Sequence, residues 1–87
     1  MNFTVIWLPL AQNELAQVWL DATDRNAVTA ASNRIDQRLA ADPVSEGESR
    51  SADERITFDP PLRVVFRVAA ATRDVFVLSV GRSGRRP

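Results

Sequence analysis

Two arginines in one alternating apolar run are the side chains best placed to do chemistry in this sequence. In Leu62-Arg63-Val64-Val65-Phe66-Arg67-Val68 every even position is apolar, while Arg63 and Arg67 fall on the opposite face of an extended chain. A guanidinium is a planar, permanently charged fork donor that matches carboxylate and phosphate oxygens. At roughly 3.3 Å per residue the two would stand about 13 Å apart with Val65 between them, which suits an extended anionic ligand better than one phosphate. A second apolar run, Val75-Phe76-Val77-Leu78-Ser79-Val80, ends in Gly81-Arg82.

The remaining composition limits what those arginines can be combined with. Among the 87 residues there is no cysteine and no histidine, which removes disulfides, thiolate nucleophiles, the commonest metal ligand and the usual general base. Catalysis would have to run on Arg, Asp, Glu, Ser or Thr. The carboxylates have no metal-ligand spacing, so neither a metal nor a cofactor is expected. The formal net charge is zero, yet residues 1–61 hold five arginines against ten acids and residues 62–87 hold six arginines against Asp74 alone. Such a basic end points to an anionic partner; the plain alternative is ordinary surface charge, with Arg63 and Arg67 paired to Asp59 or Asp74. All eleven basic residues are arginine, which a GC-rich coding bias explains as well as phosphate recognition does.

A chain of this length makes one domain with a single core. We place it at residues 1–82, with 83–87 a flexible basic tail. No stretch approaches the ~20 apolar residues of a membrane span, and the first residues carry no leader pattern. The expectation is a cytoplasmic protein with no membrane partner.

The elements that position the arginines follow from periodicity. Phe3, Val5 and Trp7 alternate with Thr4 and Ile6 in a first strand covered at least partly on both faces. Pro9 opens a helix with the stripe Ala11, Leu15, Val18, Trp19 and Ala22, in which Trp19 reads as a core anchor. Asp24 caps a second helix running to Ala41; its stripe is Val28, Ala31, Ile35 and Leu39, and Arg25, Asn26, Asn33, Asp36 and Gln37 read as solvated. The two helices form an antiparallel hairpin, and Asp42-Pro43 stops the second. Residues 43–53 carry no period and read as an irregular loop, the most mobile segment. Strands at 55–58, 62–68 and 75–80 then make an antiparallel meander. The fold class is α+β: a helical hairpin on a four-stranded antiparallel sheet, β-α-α-β-β-β, in spatial order 1-4-3-2.

Several residues within this order form a recurrent set: Val5 and Trp7 in the opening strand, Pro9 and Ala11 at the hairpin, Pro43 and Gly47-Glu48 in the loop, the Leu62 to Val68 run, and Val77-Leu78-Ser79-Val80-Gly81-Arg82. Together with the element order they resemble the RelE/ParE family of bacterial toxins from type II toxin-antitoxin systems. The resemblance implies a RelE-like fold. In ribosome-dependent ribonucleases of that family an arginine opening the third strand contacts the scissile phosphate, and Arg63 stands at the matching place. Its implied role is charge stabilisation of a pentavalent phosphorane. By the same resemblance, Arg82 follows the glycine that ends the last strand, where a basic residue is common. Glu48 lies near a loop carboxylate used as general base. Arg55 matches a basic residue of the second strand and, with Arg67, would position the nucleic-acid backbone. Thr57 departs from the pattern, standing where a second basic residue often occurs. So does Ser83-Gly84-Arg85-Arg86-Pro87, which lacks the tyrosine or histidine that many members place beyond the last strand.

The resemblance leaves the activity open between two readings. One is an mRNA endoribonuclease acting on the ribosome, with Arg63, Arg82 and Glu48 in the catalytic group and Arg55 and Arg67 on the nucleic acid. The other is a non-catalytic, ParE-like inhibitor of DNA gyrase, which the missing tyrosine and histidine favour; an inactive member is a third. All share a cognate antitoxin as partner, an extended or helical segment wrapped over apolar and basic surface. Ile6, Trp19 or Val65, where exposed, would mark part of that contact.

Overall fold

Proline punctuation and apolar periodicity cut the chain into the elements seen in the computed structural model, which describes residues 2–50 and 53–83. β1 (Thr4–Trp7) passes through Leu8 into α1 (Pro9–Asp21), whose first position is a proline because the N–H there needs no partner. α2 (Arg25–Ala41) starts on Asp24, whose carboxylate accepts the Ala27 N–H at 3.1 Å and so satisfies one of the donors a helix start leaves open. Past Asp42 the chain makes a single 3-10 turn (Pro43–Ser45), then β2 (Glu48–Ser49), β3 (Glu54–Asp59), β4 (Leu62–Ala69) and β5 (Asp74–Arg82). The sheet order is β1-β5-β4-β3-β2. No helix among the described residues is long and apolar enough to cross a membrane.

The core lies between the helices and one face of the sheet. Val28, Ala31, Ile35 and Leu39 descend from α2 and Ala11 from α1 onto Leu62, Val64, Phe66, Val75, Val77 and Val80. Full burial of side chains such as Phe66, Ile35 or Leu62 contributes about 1.5–3 kcal/mol each. α1 packs mainly over β5. A hydrogen bond from Trp7 Nε1 to Asp36 Oδ1 (2.9 Å) ties β1 to α2, so Asp36, expected in solvent, is a half-buried acceptor instead.

The α+β class, the helical hairpin and the order of the four long strands are those the sequence implies. The pairing differs in one respect: β1 runs parallel to β5, while every other neighbouring pair is antiparallel. The cause is β2. It turns part of the expected irregular loop into a fifth strand, antiparallel to β3, and this one extra reversal changes the direction in which the meander arrives beside β1. The loop also needs Gly47, whose φ is +66° and whose Cα passes so close to the Ile56 carbonyl that a Cβ would overlap it.

Two local expectations also change. Trp19 is 39% exposed and is not a core anchor; the helix turns its ring outward, where the Arg25 guanidinium stacks 4.5 Å from its centroid and donates to the Trp19 carbonyl. β5 is not a regular strand. Val65 pairs with Ser79 but Phe66 pairs with Val77, so Leu78 is an extra residue in a bulge. The bulge flips the alternation, and Val75 and Val77 before it and Val80 after it all reach the core. Of the expected tail, Ser83 is held by its N–H on the Pro61 carbonyl (3.0 Å), and residues 84–87 lie outside the described residues.

Candidate nucleic-acid interface

Directly paired residues of neighbouring strands share a face of the sheet, so the register decides what stands beside Arg63. Three ranks cross the face turned away from the helices. The first is Phe58, Arg63 and Gly81. The second is Glu48, Ile56, Val65 and Ser79. The third is Glu54, Arg67, Phe76 and Ile6. Leu62, Val64 and Phe66, which alternate with Arg63, Val65 and Arg67 along β4, are in the core.

Arg63 extends along its own rank. Its guanidinium lies over Gly81, and a Cβ there would stand within 2.9 Å of Cζ. No hydrogen bond or ion pair engages it among the described residues, which leaves its donors open to a ligand. Arg67 stands on the same face with its guanidinium 5.6 Å from the centroid of the Phe76 ring. Glu48, exposed on β2, is two strands and one rank from Arg63, about 12 Å between Cα atoms by strand spacing. The Arg63 guanidinium leans over β5, away from β2, so the two side chains share a face without meeting across it. Val65 is only 5% exposed and forms an apolar floor between the two arginines.

The other two expected residues lie elsewhere. Arg55 pairs with Phe66 in register and so faces the helix side, where its Nε donates to the Glu46 carbonyl (2.9 Å) and its Nη2 to that of Gly47 (3.1 Å). It clamps the loop. Arg82 pairs with Leu62 and lines a cavity with Val18, Asp24 and Pro61, also on the helix side. The bulge at Leu78 puts it there: by unbroken alternation from Val77, position 82 would share the face of Arg63. The structure thus puts Arg63, Arg67 and Glu48 on one face of the sheet and Arg55 and Arg82 on the other.

Asp59 and Asp74, the carboxylates expected near the arginines, are not their partners. Asp59 accepts from Arg34 Nε and Nη2 (2.9 and 2.8 Å) and from Arg38 Nη1 (2.8 Å), and Arg38 Nε continues to Glu46 (3.2 Å). The hydrogen bonds from Arg34, aided by the one from Arg38 and opposed by partial burial, hold the Asp59 carboxyl below the usual carboxylate range. This network fastens α2 to the end of β3 on the helix side. It leaves Arg63 free of competition.

Two residues of this face are not evident from the sequence. Phe58 alternates with Thr57, and either could have pointed inward; the structure buries Thr57 and leaves Phe58 54% exposed. Gly81 reads as the end of a strand, and its use as the bed of Arg63 requires knowledge of the register.

No family model and no curated protein matches the sequence. Solved structures do match its fold. The toxin-antitoxin complex RelBE2 from Mycobacterium tuberculosis superposes with a TM-score of 0.78 at 17% identity, over 95% of this chain and 100% of that one. The fold is that of the RelE/ParE toxins. The intact RelBE toxin-antitoxin complex of E. coli matches at TM-score 0.68 and 20% identity, over 95% and 99% of the two chains. The chromosomal ParDE toxin-antitoxin system of P. aeruginosa matches at 0.64 and 15%, over 94% and 97%. RelE and ParE proteins lie on the same fold, so the architecture by itself assigns no activity.

Proposed function

We propose that the chain is the toxin of a type II toxin-antitoxin system and that it cuts mRNA on the face bearing Arg63. The observation that carries this reading is the Arg63 guanidinium, laid over Gly81 with no partner among the described residues; Glu48 stands on the same face, two strands and one rank away. In such a site the 2′-hydroxyl of the ribose attacks the adjacent phosphorus, Glu48 takes its proton, and the 5′-oxygen leaves with a proton from solvent. Arg63 donates to the equatorial oxygens, where charge builds in the phosphorane. Arg67 holds a neighbouring stretch of backbone. Arg82, at the end of β5 on the helix side, would contribute at most from the rim.

The second reading is non-catalytic inhibition of DNA gyrase. Two observations favour it: the chain has no histidine or tyrosine for proton transfer, and Arg55 is committed to the loop carbonyls. Under either reading an antitoxin segment is the expected partner. The groove between the helices, about 330 Å³ and lined by Trp7, Leu15, Trp19 and Val28 among others, supplies an apolar seat for it.

Inducible expression of wild type and Arg63→Ala in a bacterial host separates the readings, with mRNA integrity and plasmid supercoiling read from the same culture. Cleaved mRNA in wild type but not in the variant supports the ribonuclease. Altered supercoiling with intact mRNA replaces it with the gyrase inhibitor.

A further inference from the structure

We infer that Phe58 is a base-stacking platform, and that the ligand of the open face is single-stranded RNA with one base on this ring and the adjoining phosphate on Arg63. The inference rests on the RNA reading above and adds the residue that recognises the base.

Phe58 has little to do in the fold. The residue is 54% exposed, and its neighbour Thr57, not Phe58, fills the inward position of β3. Leu10, Leu20 and Val44 are exposed too, but none of the three is aromatic, and Trp19, which is, already carries Arg25 over its ring. Phe58 is directly opposite Arg63 in the β3–β4 register, which sets their Cβ atoms about 5 Å apart. Gly81, on the far side of Arg63, draws the guanidinium away from the ring. The ring face is therefore not capped by its neighbour, in contrast to Trp19 and Phe76, each of which has an arginine over it. Aromatic rings interleaved with arginines on one sheet face are how single strands are held without base-edge readout, since every base has a π-face and every linkage a charge. Phe58, Arg63, Arg67 and Phe76 form such a series around the apolar floor of Ile56 and Val65. A bare phosphate or a duplex would make no use of the ring.

The test is fluorescence anisotropy of a labelled oligoribonucleotide with 2′-O-methyl sugars, which cannot undergo attack by its own 2′-oxygen. It is titrated with the purified full chain and with Phe58→Ala, Phe58→Leu, Phe58→Trp and Arg63→Ala, each checked for thermal unfolding. Loss of one stacked base weakens binding about 5- to 150-fold. Phe58→Ala and Phe58→Leu should both show that loss with little change in melting temperature, and Phe58→Trp should bind as tightly as wild type or tighter. Arg63→Ala should weaken binding and flatten its salt dependence. If wild type and Arg63→Ala differ while Phe58→Ala binds like wild type, or if leucine serves as well as tryptophan, the stacking role is wrong and the phosphate role stands. If wild type binds no oligoribonucleotide at all, the RNA reading falls and the stacking role with it.

Discussion

The guanidinium of Arg63 occupies the space that a side chain on Gly81 would need: a Cβ there would come within 2.9 Å of Arg63 Cζ. The obstacle is the far end of a flexible side chain, so Gly81→Ala should displace the arginine and leave the backbone in place. We expect a melting temperature within about 3 °C of wild type, since the cost to the fold is about 0.5 kcal/mol or less. RNA affinity or cleavage should fall toward that of Arg63→Ala. An alanine variant with undiminished activity would mean that Arg63 acts from some other rotamer.

Asp59 joins two helical arginines to the end of β3, and its carboxyl is held below the usual range by them. A carboxyl with a lowered folded pKa adds its stability in full above the unfolded value, about 3.9, and loses it as pH falls through the folded value. Asp59→Asn should therefore cost about 1–2 kcal/mol at pH 7, the lower part of the range for charged hydrogen bonds because Arg34 is half exposed and screened. Urea unfolding at pH 7 and again near pH 3 checks the sign. The gap between variant and wild type should narrow on acidification, and a gap that widens would contradict the assignment of the shift.

The core was legible in the sequence because its signals are local: the stripe Val28, Ala31, Ile35 and Leu39 is a helix face by spacing alone, and Leu62, Val64 and Phe66 are a strand face by alternation alone. The functional face was half legible. Arg63 and Arg67 follow from the same alternation, but their companions depend on register across strands, which no local pattern in this chain reveals. Arg55-Ile56-Thr57-Phe58 alternates without saying which phase faces inward, and a threonine took the buried position. The Leu78 bulge could not be read from a run that is apolar at almost every step, and it moved Arg82 to the helix side. β2, only two residues long and polar, has no hydrophobic signature at all, yet it decided the direction of β1 relative to β5.

Gly47 carries that short strand into place. Its φ of +66° is strained for any side chain, and a Cβ would stand 2.8 Å from the carbonyl carbon of Ile56 and closer still to its oxygen, both backbone atoms that cannot swing aside. Gly47→Ala should cost about 1–3 kcal/mol and loosen β2 from β3. Amide exchange in β3 should accelerate more than exchange in β4 or β5. Because Glu48 reaches the open face only through β2, cleavage should fall as well, and a variant with normal activity but weakened β2 would exclude Glu48 as the base.

Glu14 holds the bulge from above. Its Oε1 accepts the Val80 N–H at 2.9 Å in a partly buried setting, across 66 residues of sequence, and Val80 itself is a core residue directly paired with Val64. Removing the acceptor strands a backbone donor next to the core, so Glu14→Ala should destabilise by about 1–3 kcal/mol. Glu14→Gln keeps a carbonyl oxygen of the same reach and should recover most of that loss, which an effect of charge alone would not allow. Chemical denaturation of the pair at neutral pH distinguishes the cases. Equal losses in both variants would assign the effect to the charge of Glu14, and no loss in either would mean that solvent replaces the carboxylate at the bulge.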